Sequence, residues 1–351
     1  MSRSIVRWLA SVSVVLTMSA FHSSASSTSL SGPLTLADEG SFFVNGQAVV
    51  SGYPGSSPAT GATPPGRITV KQMYVHFRVP AERKGPAIVM VHGSNHTGMT
   101  YETTPDGREG WATWFVRQGH PVYVVDHSGR GRSGFNPTPV NAVRDGGADP
   151  KSMPSLSLGT VERSWSNYRL GPIYPTTYPN LQFPIEALDQ YLAQLVPNAE
   201  TTLDGGGANT VDALAALLDR IGPAIVMVHS QSGLYGLDVV RKRSSLVRAL
   251  VSIEGGCESM TAADAKTYFA KVPFLSVFGD NSVGLKVLNG DGRRNGCIAA
   301  VKLVQEAGGR GSFLLLPEAG QQGNSHMMMM DKNNLAIAAM LQKWIEENTA
   351  K

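Results

Sequence analysis

Cysteine is almost absent from this 351-residue chain: only Cys257 and Cys297 occur. A lone pair leaves room for one disulfide, which an oxidising compartment would favour. It would close a loop of about 40 residues, worth on the order of 4 kcal/mol in the chain-entropy picture. Charge is sparse too, at 16% Asp, Glu, Lys and Arg with a formal net charge of +3. Neither that balance nor any basic run argues for nucleic acid as a partner. No internal repeat and no second core can be read, so the length fits one large α/β domain. Long apolar runs are missing apart from Trp8 to Phe21, which Ser and Thr interrupt. That stretch is too short and too serine-rich to span a bilayer.

What stands there instead is a leader. Arg3 and Arg7 precede the apolar stretch, and Ser23-Ser24-Ala25 offers a small-x-small cleavage site. Residues 1–25 therefore read as a secretory signal peptide, with a single domain over 26–351 destined for the periplasm or the medium. No stable membrane insertion is expected after cleavage, and the oligomeric state is left open.

The centre of the chain is Ile225 to Gly236, I-V-M-V-H-S-Q-S-G-L-Y-G. Four apolar residues make a short buried strand, a serine-containing turn follows, and a helical rhythm resumes at Leu234. Strand, serine, helix is a nucleophile elbow, which exposes a hydroxyl beside backbone N–H groups. Ser230 is favoured because it follows the strand at once and leaves small residues, Ser232 and Gly233, where the helix starts. Ser232 remains the alternative, and neither frame is a full G-x-S-x-G.

Upstream, Ser41 to Val44 and Gln47 to Val50, split by Asn45-Gly46, predict a hairpin with a type I′ turn. Ser51 to Gly66 reads as a connector, and Ile68 to Val79 as a strand at a sheet edge. Ile88 to Val91 is apolar on both faces and ends in His92-Gly93-Ser94, a turn that in α/β-hydrolases supplies an oxyanion-hole N–H. The Ser94 and Gln231 N–H groups are assigned that role. His92 and His96 lie four apart but in a loop without a third ligand, so no metal site is expected. Gly110 to Gln118 predicts a helix and Pro121 to Val125 a strand, followed by the glycine loop Asp126 to Gly134, whose Gly and Arg residues brace it. Phe135 to Phe183 is irregular, sits where hydrolases insert a cap, and carries Trp165, Tyr168 and Tyr174 as substrate-lining aromatics. Downstream come strands ending at Ile253, Phe278 and Leu316, with helices over 295–307 and 331–347. Alternating strands and helices predict a doubly wound, mostly parallel sheet: the α/β-hydrolase fold with an N-terminal hairpin and an inserted cap.

His326 falls between the last strand and the last helix, in the Ser…acid…His order of this fold. Two acids compete: Asp280 after the second strand beyond the elbow, and Glu254 one strand earlier. Geometry read from sequence leaves them even.

Four blocks then carry a resemblance: His92 to Trp111, Ser128 to Ser133, His229 to Gly233, and Gly323 to Leu335. From about Gly40 onward the chain resembles the secreted bacterial esterases of the esterase 713 type. That resemblance implies Ser230 as nucleophile, His326 as base and Glu254 as acid, with Asp280 the alternative. It also implies that Cys257 pairs with Cys297. One departure stands out: the type member has two adjacent cysteines in the oxyanion loop where this chain has Ser94 and Asn95, which bears on how that loop is stiffened. The expected activity is hydrolysis of small-molecule carboxylic esters by an exported serine enzyme that needs no cofactor. A lactone, thioester or polyester hydrolase with the same triad is the neighbouring reading. A non-catalytic binding module on this fold is the distant one.

Overall fold

The computed structural model describes residues 32–51, 56–57, 61–62, 65–144, 146–198, 206–282, 284–286 and 290–349. The signal-peptide reading of residues 1–25 lies outside them. Eight strands form one sheet: β1 (Leu36–Ser51), β2 (Gly66–Pro80), β3 (Ala87–Val91), β4 (Val122–Val125), β5 (Ala224–His229), β6 (Val247–Ile253), β7 (Phe274–Phe278) and β8 (Gly311–Leu315). Their spatial order is β1-β2-β4-β3-β5-β6-β7-β8. β1–β2 and β2–β4 pair antiparallel, and every other neighbour pairs parallel. This is the α/β-hydrolase sheet that the alternating pattern predicts.

The N-terminal hairpin exists, but its turn lies elsewhere. Asn45 and Gly46 have positive φ (58° and 100°), yet the strand continues through them, and Leu36 to Ser51 pairs along its length with Gly66 to Pro80. The local conformation favoured by Asn-Gly is adopted without reversing the chain, because Lys71 opposite also takes a positive φ of 64° and the two arms bend together. β1, not β2, is consequently the sheet edge.

The central strands read as unbroken apolar runs because both of their faces are covered. Along β5, Val226 and Val228 join a core with Leu214 and Leu217 of α5 (Gly206–Ile221) and Leu237 of α6 (Ser232–Arg243). Val301 and Val304 of α7 (Asp291–Glu306) close the same side. Ile225 and Met227 point the other way, to Trp111 and Phe115 of α1 (Trp111–Arg117) and to Ile337 and Leu341 of α8 (Asn334–Thr349). Met327 to Met330 fill that second core beneath the loop that precedes α8, a use suited to a flexible, polarisable side chain.

Between β4 and α5 the chain leaves the sheet. The stretch expected to be irregular holds α2 (Thr138–Arg144) and α3 (Val161–Asn167), followed by α4 (Leu188–Ala193). Trp165, Leu170, Phe183 and Tyr191 anchor this insertion to the second core. Cys257 and Cys297 form a disulfide with Cα atoms 4.9 Å apart, tying the loop after β6 to α7.

Candidate active site

Four chain segments converge at the carboxyl ends of the strands. Ser230 sits in the turn between β5 and α6 with φ of 54°, a strained conformation held by its neighbours. Its N–H donates to the Ile253 carbonyl (3.1 Å), and its carbonyl accepts from Gly233 N–H (3.0 Å). Gly233 has no room for a side chain, since a Cβ there would lie 2.4 Å from the Gly256 nitrogen. Strand and helix can therefore approach closely only with glycine at that position. Ser230 is 8% exposed, whereas Ser232 is fully buried. The Ser232 hydroxyl donates to the His92 carbonyl at 2.5 Å and accepts from His127 Nε2 at 2.8 Å. It faces the protein interior, not the cavity.

His326 bridges serine and glutamate. Its Nε2 lies 2.9 Å from Ser230 Oγ, and its Nδ1 lies 2.5 Å from Glu254 Oε2. An ionised carboxylate can only accept, so Nδ1 carries the proton and Nε2 is left to accept from the serine. Burial lowers the His326 pKa to about 4, although the hydrogen bond and charge of Glu254 pull it upward. Burial alone would raise the Glu254 carboxyl, but the charge of Arg169 and the His326 hydrogen bond outweigh it and hold the group at about 2. Glu254 Oε1 also accepts from Gly279 N–H at 2.8 Å and from the Arg169 guanidinium, and both partners of that ion pair are fully buried.

Asp280, the competing acid, is occupied differently. Its two oxygens accept from the N–H groups of Gly323 (2.7 Å) and Asn324 (3.2 Å), so it braces the loop that carries His326. Asp331 holds the other end of that loop, accepting from Ser325 N–H (2.8 Å), Ser325 Oγ (2.7 Å) and Asn324 Nδ2 (2.9 Å). Burial pushes its carboxyl up to about 7 despite those bonds.

The turn after β3 approaches Ser230 from the opposite side. A Cβ on Gly93 would lie 2.9 Å from Ser230 Cβ, so the backbone of the His92-Gly93-Ser94 turn packs directly on the serine. Ser94 Oγ donates to Gln231 Oε1 at 3.0 Å, linking the two residues whose N–H groups are assigned to the oxyanion. Arg130 of the glycine loop reinforces the link, donating to the Gly93 carbonyl (2.7 Å) and to Gln231 Oε1 (3.1 Å). Its charge is buried, which lowers the guanidinium pKa to about 10. Asn95 Nδ2 donates to the carbonyls of Ser157 (2.7 Å) and Val196 (3.1 Å), and the Asn95 carbonyl accepts from Val196 N–H (2.9 Å). Where the type member of the resembling family carries adjacent cysteines, hydrogen bonds from Ser94 and Asn95 here fasten the loop.

His92 and His96 spend their ring nitrogens on protein partners: the Gly93 carbonyl and His127 N–H for one, the Ser94 carbonyl and Tyr191 hydroxyl for the other. Neither has a nitrogen left over for a metal.

A cavity of about 210 Å³ opens on Ser230 and His326. Tyr168 lines it, its ring stacked parallel to the His326 imidazole with centroids 5.9 Å apart. Trp165 and Tyr174 are not among its lining residues. They pack edge-to-face on each other (5.0 Å), and Trp165 Nε1 donates to the Thr176 carbonyl at 2.8 Å. The wall runs on past Phe183 to Asn198 and includes Arg293 of α7. Four functional neighbours were not read from sequence: Arg130, Arg169, Arg293 and Asp331. The brace assigned to the glycine loop was the nearest signal, and it named no partner.

Fold and site together define an α/β-hydrolase with a serine–histidine–carboxylate cluster. No protein-family profile matches the chain. A solved bacterial esterase superimposes with a TM-score of 0.85 at 39% identity, covering 91% of this chain and 98% of its own. A probable secreted lipase, phiG, of a fungal species (strain ATCC 74256) is 28% identical over 319 residues, which cover 78% of this chain and 86% of the relative. The chain belongs to the bacterial esterases of the esterase 713 type and is a carboxylic-ester hydrolase.

Proposed function

We propose that Ser230, His326 and Glu254 carry the hydrolysis through an acyl-enzyme. The observation that supports this best is the His326 bridge, 2.9 Å to the Ser230 hydroxyl and 2.5 Å to Glu254. Ser230 Oγ attacks the ester carbonyl carbon while His326 Nε2 takes its proton. Glu254 keeps Nδ1 protonated and offsets the charge of the imidazolium that forms. The N–H groups of Ser94 and Gln231 receive the oxyanion, and the close approach of Gly93 to Ser230 favours that assignment. His326 returns its proton to the departing alkoxide, which leaves as the alcohol. Water then gives a proton to His326, bonds the acyl carbon and displaces Ser230, which recovers the proton. Tyr168 touches the substrate, and Trp165 with Tyr174 shapes the insertion behind it. The chain's own groups move every proton, so the scheme uses no cofactor. The proposal includes export, with residues 1–25 as signal peptide. The disulfide and the secreted fungal relative fit that route, and among the described residues no helix is long and apolar enough to cross a membrane.

A fluorophosphonate probe is expected to label the protein stoichiometrically, and peptide mapping should find the adduct on Ser230. An adduct on Ser232 would overturn the frame, and no adduct would overturn the nucleophile altogether.

The pH dependence follows from the base. Only neutral His326 can accept the serine proton, and burial places its pKa at about 4. As pH falls, kcat/KM should hold through the usual histidine range near about 6.5 and drop only around pH 4. A profile that falls near 6.5 would mean a solvated base and a different cluster.

A further inference from the structure

The cavity of about 210 Å³ on Ser230 has almost no apolar wall. Among the described residues, Leu158 is the one aliphatic side chain that lines it, and it stands at the surface, 53% exposed. Hydrocarbon gains by burial only against apolar surface, so a long acyl chain finds no slot here. Deeper in, the space is closed by groups already committed to the protein. His96 bonds the Ser94 carbonyl and the Tyr191 hydroxyl, and the Tyr168 ring lies parallel to the His326 imidazole. An acyl group bonded to Ser230 Oγ is therefore a short one.

The rim is built differently. Asn198 N–H donates to the Ser157 carbonyl at 2.8 Å, and the two residues form an isolated β-bridge. Asn95 Nδ2 ties the same carbonyl to the turn beside Ser230 at 2.7 Å. Arg163, in the first turn of α3, lines the same wall. The backbone is thus fixed, while three side-chain groups stay available. Asn198 Oδ1 accepts from Arg130, which leaves Nδ2 as a donor. Among the described residues, neither that Nδ2 nor the Ser157 hydroxyl nor the Arg163 guanidinium has a hydrogen-bond or ion-pair partner. Ser157 and Arg163 are exposed, and Asn198 is half-buried.

We propose that the site takes esters of a short acyl group with an alcohol that carries neighbouring hydroxyls, as in an acetylated sugar or polyol, and that Ser157, Arg163 and Asn198 read those hydroxyls. The alcohol is the half that departs through the mouth, where these three residues stand. Arg163 and Asn198 Nδ2 donate, and the Ser157 hydroxyl donates or accepts. A row of hydroxyl oxygens, each able to do both, satisfies all three. An alkyl alcohol of the same length would strip water from them and return no hydrogen bond. Because the rim backbone is already fixed, little ordering is left to oppose binding. A carboxylate gains little at an exposed guanidinium, so the rim distinguishes hydroxyl groups and not charge.

This selectivity rests on Ser230 as the nucleophile, and the test separates the two. Wild type, Ser157→Ala and Arg163→Met are assayed on acetylglycerol and propyl acetate, which share a carbon skeleton, and on p-nitrophenyl acetate and octanoate. Both substituted side chains are exposed, so the variants keep the fold. Wild type is expected to favour acetylglycerol over propyl acetate by about tenfold or more in kcat/KM, mainly through KM, and the acetyl over the octanoyl ester by a similar factor. Each variant should lower the hydroxyl preference by about threefold, and the double variant by about tenfold. Equal turnover of acetylglycerol and propyl acetate overturns the inference, as does a preference for the octanoyl ester, and both results leave the triad standing. Equal losses on the two alkyl acetates in the variants overturn it too, since groups that read hydroxyls must change the ratio. No turnover of any ester together with no fluorophosphonate adduct removes the triad, and the selectivity falls with it.

Discussion

Ser230→Ala is expected to lower kcat on p-nitrophenyl esters by about a millionfold, and His326→Ala by a similar factor. The two act as a unit, so the double variant should be no worse than either single one. Glu254→Gln should retain more, losing about 10⁴ in kcat, because an amide can keep the imidazole in place but offers the wrong tautomer and no charge. Ser232→Ala is the contrast. Its hydroxyl ties the His92 carbonyl to His127 Nε2 in the interior, and deleting it leaves buried groups unpaired at a cost of about 1–3 kcal/mol. A denaturant melt should therefore register the loss at Ser232, while turnover survives. Near-wild-type hydrolysis by Ser230→Ala would transfer the nucleophile to Ser232 and dismantle the scheme.

Arg169→Met should be the most destabilising single change near the site. Arg169 and Glu254 are both fully buried and paired, and removing one partner of such a pair typically costs about 3–5 kcal/mol because the other charge is stranded. The pH signature is specific. With Arg169 present, the Glu254 carboxyl sits at about 2, below its ordinary 4.5. A depressed carboxyl stabilises the fold above its unfolded pKa, and that contribution is lost as pH falls from about 4.5 through about 2. In Arg169→Met, burial is no longer outweighed by that cation, so the carboxyl rises toward or above its unfolded value and the loss of stability on acidification shrinks. Arg169 also depresses His326, so the acid limb of kcat/KM should move up from about 4. Urea melts between pH 3 and 8, paired with activity profiles, read both effects, and Arg169→Lys serves if the methionine variant does not fold. Identical melts and an unmoved limb would show that the ion pair contributes nothing.

The parallel part of the sheet was legible because its central strands are unbroken apolar runs of strand length, each followed by a loop rich in glycine and polar residues. Chain order pointed to His326 as the histidine that meets Ser230. The carboxylate that meets His326 could not be picked the same way, because Glu254 and Asp280 both follow strands beside the same loop. Only the bonding distinguishes them, since Asp280 accepts from the Gly323 and Asn324 N–H groups while Glu254 accepts from His326. The arginines were beyond reach for another reason. Arg169 and Glu254 are 85 residues apart, and Arg130 and Gln231 are 101 apart, with no local pattern that announces such pairs. Arg293 escaped because the helix expected from Asn295 in fact begins at Asp291, which turns an apparent loop residue into one on the cavity wall. Trp165 and Tyr174 illustrate the reverse error. Aromatic type alone cannot separate a ring that meets substrate from one that packs the insertion: Trp165 is buried in the second core, and Tyr174 packs edge-to-face on it.

Asn95 joins the turn beside Ser230 to carbonyls at Ser157 and Val196, and Val196 N–H returns to its carbonyl. An insertion that swung away from the sheet would have to break all three bonds and loosen the turn that packs on Ser230. The insertion and the turn beside the serine are thus fastened as one piece, and the space that receives a substrate is bounded by parts that do not shift separately.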